Sequence, residues 1–158
     1  MKTQLSAALV AKNSVTVALT NPHDPAAFYQ TRTGLYLNNQ GYRDRIVRKA
    51  KSTQSAPPVT LRRFVLERKA NDQEIEVQLG PNHVFSETEV CWIVAEMIGK
   101  QEGSAAGDLD NTGKFNLFYT PSWVVDVEGS VGGREWFVTT WRRDGRAWYA
   151  GNSVFSRN

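Results

Sequence analysis

Few of the side chains in this chain are able to do chemistry. His23 and His83 are the two histidines and Cys91 is the single cysteine among 158 residues, so a closed zinc site built from thiolates and imidazoles lacks its four donors. Two histidines and a lysine could in principle cleave RNA by general acid and base catalysis, but no local spacing brings His23 and His83 together. Cys91 lies on the apolar arc of a helical pattern, where a thiol behaves as a small hydrophobe and resists ionisation. The run Asp108-x-Asp110-x-Thr112-Gly113 imitates the opening of a calcium loop, yet Tyr119 occupies the twelfth place, where a bidentate glutamate is needed. The carboxylate pairs Glu74 with Glu76 and Glu87 with Glu89 suit solvated or helix-start positions. No Gly-x-Gly-x-x-Gly, Walker loop or Gly-x-Ser-x-Gly occurs, which removes sequence support for a nucleotide cofactor or a serine hydrolase. The sequence therefore assigns no catalytic residue, no metal ligand and no cofactor.

Binding residues are better represented. The formal net charge is only +3, but the charges are segregated along the chain. Residues 41–69 hold nine basic side chains against two acidic, a net +7, and residues 70–112 hold nine acidic against Lys100 alone, a net −8. Either these two stretches pair internally or they present separate fields to different partners. Ten of the 17 aromatic residues lie from Phe115 onward, interleaved with Arg134, Arg142, Arg143 and Arg146. Flat rings and guanidinium groups on a β surface suit single-stranded nucleic acid, whose bases stack while its phosphates are neutralised. The candidate nucleic-acid contacts are Arg43, Arg45, Arg48, Lys49, Arg62, Arg63, Arg142, Arg143 and Arg146. Core packing competes with that surface for the same rings.

The elements that must position these groups follow from periodicity. Residues 14–20 alternate like a strand, and 34–37 form a second short one before Asn38-Asn39-Gln40-Gly41. Tyr42, Ile46 and Ala50 recur every four residues, which predicts a short basic helix over 42–50 with Arg45, Arg48 and Lys49 around its other side. Residues 51–58 read as an exposed Pro/Ser linker, and 59–68 as a strand with apolar residues on both faces. Over 70–80 Ile75, Val77 and Leu79 alternate like a strand, while Asn71-x-x-Glu74 and a stop at Gly80 favour a short helix, and Ser86-x-x-Glu89 opens the main helix through about Lys100. On that helix Trp92 stands opposite the apolar arc among Glu89 and Glu96, where it is either buried on a second side or offered to a protein partner. Residues 102–113 read as a flexible loop, and the remainder as β-strands around a Gly-rich turn at 129–133. Asp144-Gly145 suits a two-residue hairpin turn that would set Trp141 opposite Trp148.

The expected fold is α+β: one domain over 1–158, with an antiparallel sheet and C-terminal hairpins packed on the helix at about 87–100. No apolar run has membrane-spanning length, a signal peptide is rejected because its apolar stretch is short and broken, and a lone cysteine fits a cytoplasmic location. The function expected is binding without catalysis, with nucleic acid as the partner. The alternatives are a protein-binding accessory or inhibitor of phage or mobile-element type that uses Trp92, Glu89 and Glu96, and a hydrolase or nuclease without a recognised motif.

Overall fold

The computed structural model describes residues 6–37, 41–101, 107–130, 135–144 and 146–157. The chain forms a mixed α/β structure dominated by one large sheet. Its strands are β1 (Leu9–Ala11), β2 (Val15–Leu19), β3 (Leu35–Leu37), β4 (Ala56–Leu66), β6 (Phe115–Tyr119), β7 (Trp123–Gly129), β8 (Trp136–Arg142) and β10 (Ser153–Arg157). They run in the order β1-β4-β10-β6-β7-β8-β3, and β2 lies beside β4. Two short strands, β5 (Ala70–Asn71) and β9 (Ala147–Trp148), pair separately. The helices are the single turn α1 (Pro25–Phe28), α2 (Asp72–Leu79) and α3 (Glu87–Gln101), with a π-helical turn at Arg43–Val47. Among the described residues no helix is long and apolar enough to cross a membrane.

Local signals placed the helix starts. Asn71 accepts from the Glu74 amide while the Glu74 carboxylate accepts from the Asn71 amide, a reciprocal cap that also holds the Glu74 carboxyl below its usual range. Ser86 and Glu89 close the same pair of bonds at 3.1 Å each at the start of α3. Helix α3 is buried from Val90 through Ala95 without a break, so it is covered on all sides.

Both faces of the sheet are covered. One core cluster joins α3 to Val17, Leu61, Phe118, Val125, Val127, Trp136, Val138 and Phe155. The other joins Ile75 and Leu79 of α2 to Phe64, Leu117, Tyr119, Val124, Trp148 and Val154. Successive residues of β6 and β7 therefore serve opposite clusters, which is why these strands carry large apolar groups on both sides.

Four expectations are corrected. The sheet is not wholly antiparallel, because β10 pairs parallel to β6 and β3 pairs parallel to β8. Trp141 does not face Trp148 across a ladder: Trp141 pairs with Val124 of β7, and Trp148 pairs with Ala70 of β5. The β reading of the chain from residue 147 onward is broken by a turn between β9 and β10, and residues 131–133 of the expected Gly-rich turn and Gly145 lie outside the described residues. The linker over 51–58 ends early, since β4 already begins at Ala56. Strand β10 pairs with β4 only from Leu61 onward, so Pro57 and Pro58 meet no ladder on that side.

The described part of the loop expected over 102–113 is pinned rather than loose. Gln101 brackets Leu109 by accepting from its amide at 3.0 Å and donating to its carbonyl at 2.8 Å, and Asn116 holds both the amide and the carbonyl of Asp110. Residues 102–106 lie outside the described set.

Candidate functional site

The short basic helix exists as one widened turn, in which the Arg48 amide reaches the Arg43 carbonyl five residues back at 3.0 Å. Its buried side, Tyr42, Ile46 and Val47, enters the core beside α3. The turn then sends its arginines in different directions. The Arg45 guanidinium lies 4.0 Å from the centre of the Trp123 ring and donates to the Thr140 hydroxyl at 3.2 Å. Trp123 is the cross-strand partner of Arg142, which is exposed and has no polar partner among the described residues. Arg45, lying over Trp123, thus brings the basic turn to the C-terminal strands, and Trp123 and Arg142 line a groove of about 540 Å³ together with Glu76, Pro121, Ser122, Arg143 and Asp144.

The other cations are engaged or remote. Arg43 donates to the Tyr29 carbonyl at 3.4 Å, and Arg48 pairs with Asp44 at 3.2 Å on the surface. Lys49 is exposed. Arg62 lies over Phe64 and Arg63 donates to Ser153, both on β4. Four strand spacings separate β4 from β8, roughly 19 Å, so Arg62 and Arg63 do not join Arg142. Arg146 is stacked between Trp141 and Trp148, at 3.6 and 4.9 Å from their ring centres, and is part of the packing.

Arg143 is a clamp rather than a free cation. It donates to the Thr120 and Pro121 carbonyls at 2.8 Å each and to the Glu76 carboxylate, which His83 Nε2 also meets at 2.8 Å. His83 Nδ1 is 2.7 Å from the Gly80 carbonyl, so both ring nitrogens already face protein acceptors and neither is free to act as a base. Beneath this cluster the buried Asp72 carboxylate accepts from Tyr119 at 2.8 Å and Trp148 at 2.7 Å through one oxygen. Burial, reinforced by the Asp72 charge, pushes the Tyr119 phenol far above its usual range. Among the described residues the acidic stretch therefore meets Arg143 and Arg157 near the C-terminus, and Arg68 alone from the basic stretch, through Glu74. Sequence reading missed Glu76, His83 and Asp72 as one cluster, because Glu76 and Arg143 stand 67 positions apart.

His23 packs on Phe28 and Tyr29 in the first core cluster, while His83 packs on Tyr119 in the second. Burial pushes the His23 imidazole below its ordinary value. Trp92 is 6% exposed, so it is core and is not presented to a protein partner. Glu89 is committed to the α3 cap and to Arg157 at 3.4 Å, and Glu96 is half-buried, its carboxyl raised by desolvation.

Cys91 is buried beneath Tyr29, whose hydroxyl donates to the Cys91 carbonyl at 2.5 Å, and Tyr42, whose hydroxyl is 3.4 Å from its sulfur. Burial pushes the thiol up to about 12. A disulfide reagent at pH 8 should therefore label the native protein only as fast as it opens, and label the urea-unfolded chain at once. Rapid labelling of the native state would contradict this placement. The chain matches no family model, and comparison with curated proteins and with solved structures finds no significant similarity.

Proposed function

We propose that the protein binds single-stranded nucleic acid without catalysis, across the surface formed by Arg45, Trp123 and Arg142. The observation that carries this reading is the meeting of the basic turn with the C-terminal strands at Trp123, where Arg45 stacks on the indole and Arg142 stands alongside. Neither guanidinium is paired with a carboxylate among the described residues, so both can neutralise phosphates, and the flat Arg45 plane can itself stack on a base. Both ring nitrogens of His83 are occupied, which favours binding over a nuclease. The reading keeps Arg45 and Arg142 from the basic set and leaves out Arg62, Arg63, Arg143 and Arg146.

The test is fluorescence polarisation with a labelled 15-nucleotide single strand of mixed sequence. Trp123→Ala should weaken binding by about tenfold or more, since it removes the ring that holds the Arg45 plane in place for a base, and a stacked base is worth roughly 1–3 kcal/mol. Arg142→Gln should weaken binding on every sequence and flatten the dependence of log affinity on log salt by about 0.7. Affinity that does not respond to salt, or variants that bind as the parent does, would overturn the proposal.

A further inference from the structure

The side of the π-helical turn away from Trp123 faces α1 across a groove of about 350 Å³, and nothing in the proposed nucleic-acid surface uses it. Its floor is apolar, made by Pro25, Tyr29 and Val47, which are buried, with Ala50 partly buried beside them. Its rim carries opposite charges: Asp24 at the start of α1, and Arg43 at the end, where that guanidinium is tied to the Tyr29 carbonyl at 3.4 Å. Arg43 opens the π-helical turn, a geometry with one extra residue per turn that is found frequently at functional sites.

We infer that this groove is a binding site for a small zwitterion, an α-amino acid with an apolar side chain, whose carboxylate meets Arg43 and whose ammonium meets Asp24. The two charges belong to one groove: Asp24 stands at the N-cap of α1, and Arg43 donates to the carbonyl of Tyr29 at the C-cap of the same turn. Arg43 spends one long bond on the Tyr29 carbonyl and keeps the rest of its donor fork for a carboxylate. Asp24 accepts from the Ala27 amide at 3.3 Å through one oxygen, which leaves the other for an ammonium. A free phosphate is disfavoured because Asp24 would oppose it and because Arg48, the second arginine at the rim, is already paired with Asp44 at 3.2 Å. Tyr29, Val47 and Ala50 leave an apolar floor for a hydrocarbon side chain, which a bare inorganic ion would not use.

Isothermal titration of the full chain with L-leucine tests the inference, with N-acetyl-L-leucine, L-leucinamide and inorganic phosphate as the comparison probes. L-leucine should bind saturably at one site. Removing the ammonium charge by acetylation or the carboxylate charge by amidation should each weaken binding by about tenfold or more. Asp24→Asn keeps a residue that caps α1 equally well while removing the charge, so it should lose L-leucine and leave the melting temperature nearly unchanged. Arg43→Gln should lose L-leucine as well, whereas Trp123→Ala should retain it, which separates this site from the nucleic-acid surface. Absence of saturable L-leucine binding at millimolar concentrations, binding of either blocked derivative as tight as that of L-leucine, or stronger binding of phosphate would each overturn it.

Discussion

Replacing Asp72 with alanine should lower the unfolding free energy by about 3–5 kcal/mol, the largest loss expected from any single polar side chain in this fold. Asp72 is 1% exposed and one of its oxygens accepts from both the Tyr119 hydroxyl and the Trp148 indole N–H. Both donors are fully buried and belong to different parts of the structure: Tyr119 to the central strand β6 and Trp148 to β9, while Asp72 opens α2. Alanine leaves two buried donors without an acceptor, and it loosens the helix and the C-terminal segment from the sheet in one step. Asp72→Asn keeps the shared acceptor oxygen and should cost only about 1–2 kcal/mol. Tyr119→Phe and Trp148→Phe should each be mild, and each should couple to Asp72→Ala non-additively, because all three groups act through one oxygen. Urea unfolding with an unchanged slope is the measurement. A loss below about 1 kcal/mol for the alanine variant would show that Asp72 does not tie these elements together.

The same cluster marks where the sequence was legible and where it was not. Both capping boxes could be read because their donors and acceptors lie three residues apart, so local chemistry decides them. The alternation in Val15–Leu19 could be read because one face of β2 is buried and the other exposed. Asp144-Gly145 misled because a turn dipeptide specifies a local bend and not a strand partner. Trp148 found its acceptor in Asp72, 76 positions earlier, and the segment carrying it left the sheet to cover the second core cluster. The parallel pairings of β10 with β6 and β3 with β8 join strands with long stretches of chain between them, and no local pattern specifies such contacts. At the candidate site the residue types could be read, since Arg45 and Arg142 were chosen for charge. Their meeting at Trp123 could not, because it depends on how the π-helical turn lies against β7 and β8.

Stability should also fall as pH rises from about 4 to about 7, through Asp126. This carboxyl lies on β7, 5% exposed, and burial raises it from 3.8 to about 7. The Trp141 indole N–H at 3.3 Å and the more distant Arg146 oppose that rise, and Glu128 adds to it. Below pH 4 the group is protonated whether the chain is folded or not, and it makes no pH-dependent contribution. Between about 4 and 7 the unfolded chain releases this proton while the folded protein retains it, so every unit of pH favours unfolding by about 1.4 kcal/mol. Above about 7 both states are ionised and the contribution is constant again, with a total loss on the order of 4 kcal/mol. Asp126→Asn removes the titration and keeps an oxygen for the Trp141 N–H. The stability of this variant minus that of the parent should therefore climb between pH 4 and 7 and level off beyond it. Taking the difference cancels every other titrating group, so a flat difference curve in urea titrations across that range would mean that Asp126 ionises in the folded protein as readily as it does in water.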